Sequence, residues 1–436
     1  MHPSGFPEWL PEGQLVERRV IDTLRQVFEL YGFGPLRTRA VESVKDLVAK
    51  GETDKEIYVL RRLQADHEDD DAGVGLRFDL TVPLARYVSE NAGRLLFPFR
   101  RYQIQPVWRG ERPQEGRYRE FIQADIDIVG RGHLPAGSEA ELPAVVADAL
   151  RRLPLPGVVV RMNNRKILQG FLAALGVTDV VKILRIIDKL DKVGPQALTE
   201  MLVDNGVADR EAQLCLRLAQ IRRGDASFVD DVRALGVSDP TLDEGLEELA
   251  AVLQAGQALQ PGLLQADLGI ARGLDYYTGT VYETVLTGYD KLGSVCSGGR
   301  YDNLIGAGTD SYPGVGISVG VTRILGALLG RNKLGASRKV PSCVLVAVID
   351  EETRRASSQV AAQLRARGIP TEVSPGADKY GKQIRYADQR GIPFVWFTQP
   401  DGHQVRDLRS DTQHPVDPAD WNPPASDLTV QILSLP

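Results

Sequence analysis

The chain has 436 residues, 43% of them hydrophobic and 25% charged, with a formal net charge of −6. That length accommodates two or three domains, and the ordinary composition is that of a globular chain, neither fibrous nor disordered. The acidic balance argues against a general nucleic-acid binder, no run of 18 apolar residues reaches the length of a membrane span, and three scattered cysteines (Cys215, Cys296, Cys343) argue against a disulfide framework or a cysteine zinc site.

The N-terminal stretch MHPSGFPEWLPEGQ lacks a basic-then-apolar leader pattern, so a cytoplasmic location is expected. The five histidines (His2, His67, His133, His403, His414) share no ligand spacing, and no structural metal is expected. Residues 14–31 set Val16, Val20, Leu24, Val27, Phe28 and Tyr31 at helical spacing, with Gly32 as a stop. An extended piece, PLRTRAVES, and a short helix ending at Gly51 follow. In LRFDLT, Leu76, Phe78 and Leu80 alternate with Arg77, Asp79 and Thr81. In FIQADIDIVG, Ile122, Ala124, Ile126 and Ile128 alternate with Gln123, Asp125 and Asp127. Period two predicts two strands, each with one apolar and one polar face. Such a polar row is either the solvent face of an antiparallel sheet or a pocket floor. Short Asp, Gln and Thr, in place of Lys and Glu, point to the floor.

Between Arg100 and Glu120 lie six arginines (100, 101, 109, 112, 117, 119) and three glutamates (111, 115, 120). The run is either a solvated face or, beside that sheet, a phosphate site. About 165–260 the pattern becomes helical, which predicts a helical insertion between two parts of one sheet. Strands resume at Ala271 and run to the helix after Gly320. LGASRKVPS (334–342) reads as a linker, giving domains of 1–333 and 343–436. Beyond it the pattern predicts a strand in CVLVAVID, a helix at 351–367, a strand IPTEVS, a helix DKYGKQIRYADQRG and a strand IPFVWFTQ. A hairpin about Asp401-Gly402 and a terminal helix near 426–434 complete it. This alternation implies a small α/β domain.

Three further segments carry chemistry. ARGLDYYTGTVYET (271–284) sets the fixed charge of Arg272 beside Asp275, Tyr276 and Tyr277, with GGRYD (298–302) downstream. It suits an anionic ligand, or else forms a hairpin with a cation–π pair. In WRGERPQEGRYREF (108–121), Arg109 and Glu111 precede a turn with Pro113 and Gly116, and Phe121 opens the next strand. Arg109 can grip a phosphate there and Phe121 can offer a face to a purine. An ordinary charged hairpin is the other reading. In PGVGISVGVTRILGALLG (313–330), the spacing GxGxxxG is not the dinucleotide fingerprint, and no acidic residue follows at about 20 positions. Those glycines allow close approach to a ligand, and Arg323 at the next helix start suits a terminal phosphate.

Taken together, LRFDLTVPLARY, the Arg109–Phe121 loop with FIQADIDIVG, ARGLDYYTGTVYE, VCSGGRYDNL and the Gly316–Arg323 stretch resemble the histidyl-tRNA synthetases, members of class II, over essentially the whole length. YGKQIRYADQRG is similar to a helix of that family's anticodon-binding domain. The resemblance implies an α+β catalytic domain, its antiparallel sheet flanked by helices, with the helical insertion and a C-terminal α/β anticodon-binding domain. It implies histidine activation with ATP and Mg²⁺, transfer to tRNA-His, and a homodimer. Asp79, Thr81 and Gln123 would hold the α-amino group, and Leu80 would also contact the histidine. Asp127 and Tyr277 would read the imidazole, with Tyr276 and Tyr301 shaping the pocket. Arg109 would bind the α-phosphate and the carboxylate. Glu111 and Phe121 would place adenine, while Arg117 and Arg323 take the β- and γ-phosphates. Arg272 would stabilise the pentacoordinate phosphorus. The chain departs from the family pattern at Arg39, usually proline, and at Thr322, usually acidic; Asp79 and Asp127 are Glu in one branch.

A second function follows the same resemblance: a histidine-binding regulatory paralogue, as in ATP phosphoribosyltransferase. Such paralogues lack the C-terminal domain and lose the arginines that Arg109, Arg272 and Arg323 match here, so the ligase reading leads.

Overall fold

A computed structural model describes residues 3–48, 56–63, 73–271, 277–307, 310–399 and 402–436. The chain divides into two compact units, one of residues 1–7 and 23–327 and the other of residues 8–22 and 328–436.

The first unit is built on a nine-stranded sheet. In chain order its strands are β1 (Gly34–Pro35), β2 (Phe99–Trp108), β3 (Glu120–Val129), β4 (Val158–Asn164), β5 (Arg222–Arg223), β6 (Leu264–Asp267), β7 (Thr280–Leu286), β8 (Cys296–Tyr301) and β9 (Gly314–Gly320). Their spatial order is β1-β2-β3-β9-β8-β7-β4-β6-β5. The pairings are antiparallel except β1 with β2 and β4 with β6. Alternation gives the sheet an apolar face of Tyr102, Ile126, Ile317, Tyr282 and Met162, partners along one row of the register. Helices cover it: the Phe28 ring lies 6.0 Å from that of Tyr102, and helix Ser138–Arg151 packs on β3, β4 and β9. Tyr282 donates from its hydroxyl to the Glu139 carbonyl at the start of that helix, at 2.6 Å.

Seven helices run from Arg165 to Leu259, interrupted by β5. The first and last, Arg165–Ala174 and Pro240–Leu259, pack on each other, and the last also lies on β4 and β6.

The predicted strand LRFDLT does not form. Strand structure ends at Leu76, and helix Thr81–Asn91 begins where the alternation should continue. The cause lies in Arg77, which is buried: Nε and Nη2 donate to the Pro106 carbonyl at 3.0 and 2.8 Å, and Nη1 to those of Thr38 and Arg39 at 3.0 and 3.1 Å. Burial lowers its pKa to about 10. A side chain satisfying four backbone contacts outweighs the period-two preference of its neighbours.

The second unit centres on a five-stranded sheet in the order Thr371–Val373, Val344–Val346, Phe394–Gln399, Gly402–Asp407, Thr412–Val416. The first three strands are parallel and the last two close antiparallel. Helix Arg354–Ala366 packs on one face and helix Tyr380–Gln389 on the other. Gln383 ties the second helix to a strand end: its Oε1 accepts from Val348 N at 3.0 Å and its Nε2 donates to Val348 O at 2.8 Å. The expected terminal helix is absent. A short 3-10 turn at Ala425–Asp427 leads instead to strand Ile432–Ser434, which pairs with Leu334–Ala336 at the start of the expected linker.

Candidate active site

The other face of the nine-stranded sheet is polar, and its register explains why. One row across β2, β3, β9 and β8 reads Arg101, Asp127, Gly316, Gly299; the next reads Gln103, Asp125, Ser318, Ser297. Every second residue of each strand faces the same way, so four strands deliver one continuous polar floor. Glycine at 316 is a steric requirement, since a Cβ there would land on the Asp127 carboxylate.

Asp127 is gripped from both sides. Arg101 Nη2 lies 2.7 Å from Oδ2, and the Tyr301 hydroxyl donates to Oδ1 at 2.8 Å. Arg101 is fully buried and Asp127 nearly so. Burial, then the Asp127 charge, pushes the Tyr301 phenol well above its usual range, so it remains a donor. Beside them burial pushes the Asp125 carboxyl up to about 7, with Arg101 opposing the shift and Asp127 and Asp79 adding to it. Gln123 Nε2 donates to Ser318 Oγ at 2.9 Å. Asp79 Oδ1 accepts from Val82 N at 3.0 Å, at the start of helix Thr81–Asn91.

Asp79, Thr81, Arg109, Gln123, Asp127, Tyr277 and Tyr301 line one cavity of about 80 Å³. Arg109, Glu111, Arg117, Phe121 and Arg323 line an adjoining space of about 110 Å³, which shares Arg109, Gln123, Ser297 and Ser318 with the first. A wider cavity of about 330 Å³ is bounded by Arg109, Arg117, Arg323, Tyr277 and Glu283. Arg109 thus borders all three spaces. Its Nε donates to the Phe78 carbonyl at 3.0 Å, and its guanidinium carbon lies 5.2 Å from the Phe121 ring centre. Arg117 pairs with Glu111 at 3.2 Å, and Arg323 projects from the first turn of helix Val321–Gly330.

Leu80 differs from its neighbours: its side chain is fully buried in the core, and its carbonyl, 3.4 Å from Arg101 Nη2, is its polar contact here. Arg272 and Tyr276 lie outside the described residues. The chain entering that segment is anchored by Asn163, whose Nδ2 donates to Leu268 O at 3.3 Å and Ile270 O at 2.8 Å. Arg300 in GGRYD pairs with Asp302 and Glu139 at 3.1 and 3.2 Å.

Both departures have local roles. Thr322 Oγ1 accepts from Ile122 N at 2.8 Å, tying the Arg323 helix to β3. Arg39 pairs with Glu42, a buried carboxylate that also takes two bonds from Arg86. The sequence reading gives Asp125 only a share in the polar row and Arg101 only a share in the arginine run, and it singles out neither Ser297 nor Ser318. Asp125 stood in the alternation already recognised, but Arg101 and the serines join the floor only through cross-strand register.

The profile described as histidyl-tRNA synthetase matches residues 5–324, and that of the anticodon binding domain residues 343–417. A histidine–tRNA ligase of Cutibacterium acnes is 55% identical, the alignment covering 98% of this chain and 97% of that one. The crystal structure of histidyl-tRNA synthetase from Nostoc sp. PCC 7120 superposes with a TM-score of 0.85 at 36% identity, over 95% of this chain and 96% of the other. An ATP phosphoribosyltransferase regulatory subunit/histidyl-tRNA synthetase from Bacillus halodurans C shares the fold, with a TM-score of 0.73 at 19% identity over 88% and 96% of the two chains.

Proposed function

The chain belongs to the histidyl-tRNA synthetase family, and we infer from this that it joins histidine to tRNA in two steps. The histidine carboxylate attacks the α-phosphorus of ATP, the bond to the bridging oxygen breaks, and pyrophosphate leaves. The 3′ terminal ribose hydroxyl of tRNA-His then attacks the activated carbonyl and AMP leaves. The observation that carries the reading is Arg109, which borders both the carboxylate-lined cavity and the arginine-lined spaces. A cation at that junction suits the α-phosphate and the attacking carboxylate together, bringing two anions into reach of each other.

In this reading Asp79, Thr81 and Gln123 hold the α-ammonium, while Asp127 and Tyr277 read the ring. Arg101 and Tyr301 hold Asp127 in one rotamer, so ring selection costs little reorganisation. A buried site that hydrogen-bonds its substrate rejects analogues lacking those groups by about 10⁴–10⁵. Glu111 and Phe121 position adenine, Arg117 and Arg323 neutralise the outer phosphates, and Arg272 acts on the reacting phosphorus. Mg²⁺ accompanies the triphosphate. Glu111 and Glu283 line the wider cavity, and hard oxygen donors of this kind, with phosphates, suit an ion that keeps most of its waters. Residues 343–436 bind the tRNA anticodon arm. The chain works as a homodimer in the cytoplasm. The regulatory alternative draws no support from 19% identity, and the anticodon-binding match opposes it.

The test is exchange of labelled pyrophosphate into ATP. Exchange that depends on histidine and on no other amino acid supports the reading; exchange indifferent to histidine overturns it.

A further inference from the structure

Three groups on the polar floor carry a buried atom without a hydrogen-bond partner, Arg101 Nε, Gln123 Oε1 and Asp125 Oδ1, and of these Asp125 is the carboxylate. Its side chain is 3% exposed, yet Oδ1 has no hydrogen-bond partner. Leaving a buried charged acceptor unmade is costly, and the atom belongs to a residue that lines the cavity. Its neighbour Asp127, by contrast, already takes Arg101 on one oxygen and Tyr301 on the other.

The surroundings of Asp125 are short of cations. From β2 come Arg101, engaged by Asp127, and the neutral Gln103, its register partner. From β9 comes Ser318, its register partner, whose hydroxyl favours the charged form of Asp125. From the segment before helix Thr81–Asn91 come Asp79, another anion, and Arg77, whose guanidinium is held by backbone carbonyls. On its own strand lies Asp127. Three carboxylates, Asp79, Asp125 and Asp127, therefore face two cations about this cavity, Arg101 and Arg109, and the site is one positive charge short. A proton on Asp125 supplies it while the cavity holds no substrate, consistent with a pKa pushed up to about 7 by burial.

We propose that Asp125 is a further substrate-holding residue: its open oxygen accepts an N–H from the positively charged end of the bound amino acid, and Asp125 gives up its proton as that cation enters. The proposal rests on the histidine-activating reading above. The exchange balances, one positive charge entering the site and one proton leaving to solvent. It makes substrate capture depend on an enzyme proton, separately from the titration of free histidine.

The experiment measures the Michaelis constants for histidine and ATP in pyrophosphate exchange from pH 6 to pH 8, for the wild type and Asp125→Asn. A neutral amide matches the shape of the protonated carboxyl. At pH 8 the variant should need ~10–100 times more histidine, the usual cost of losing a hydrogen bond to a charged group, with the ATP constant unchanged. That ratio should fall about tenfold by pH 6, because a group titrating near 7 must then lose a proton before binding. The substrate's own ring titrates identically for both proteins and cancels in the ratio.

A merely structural role would give a ratio constant with pH or would raise the ATP constant as well, and either result overturns the proposal. A second variant, Ser318→Ala, keeps Asp125 and removes a hydroxyl that favours its charged form. It should move the wild-type midpoint to higher pH, and an unmoved midpoint counts against Asp125. Absence of histidine-dependent exchange in the wild type would instead overturn the functional reading itself.

Discussion

The two sheets of this protein bury different things. The five-stranded sheet presents Val344, Val346 and Trp396 to one helix and Leu345, Val395 and Phe397 to the other, all buried. The nine-stranded sheet is apolar on one face alone and buries Arg101, Gln103, Asp125 and Asp127 on the other. Stability accounts for the first arrangement. It does not account for the second, because hydrophobic residues of similar volume commonly replace a buried ion pair at no loss. In the proposed function this costly burial serves recognition of the substrate.

Substitutions can sharpen that contrast. Removing the cation from the polar floor should have the largest effect. Arg101→Met leaves the Asp127 charge buried without its ion pair and should lower stability by about 3–5 kcal/mol, read from urea unfolding. A loss below about 1 kcal/mol would mean that the pair is dispensable. In the five-stranded sheet, Leu345→Ala should cost about 2–5 kcal/mol through a cavity, while histidine-dependent exchange at low temperature stays at the wild-type rate. If that exchange fell tenfold in folded protein, the separation of roles between the sheets would be wrong.

A smaller effect is expected at Thr322, where the family pattern led to the expectation of an acidic residue. Thr322→Val keeps the shape but leaves the Ile122 N–H without its acceptor, at about 1–3 kcal/mol. The Michaelis constant for ATP should stay within about twofold. A large rise in it would give Thr322 a direct part in nucleotide binding.

The sequence made the polar floor visible along β3, because Gln123, Asp125 and Asp127 alternate with Ile and Ala in a strand that forms. It misled at LRFDLT, where Arg77 mimics an outward polar residue yet is consumed by backbone carbonyls of Thr38, Arg39 and Pro106. Asp79 and Thr81 still reach the cavity, by way of a helix start in place of a strand face. Arg101 was hidden for a different reason. In a run of six arginines nothing local distinguishes the one buried opposite Asp127, since strand register is a long-range property. The terminal helix expected near 426–434 failed likewise, because pairing with Leu334–Ala336 is available only once the chain has folded back.

The central claim is that the polar face of the nine-stranded sheet reads the amino acid while the neighbouring arginines hold the nucleotide. Steady-state pyrophosphate exchange with Asp127→Asn, each substrate varied separately, tests it most directly. The account predicts a Michaelis constant for histidine raised by about one to two powers of ten, the equivalent of ~1.5–3 kcal/mol, with that for ATP unchanged. A rise for ATP alone, or no change in either, would contradict it.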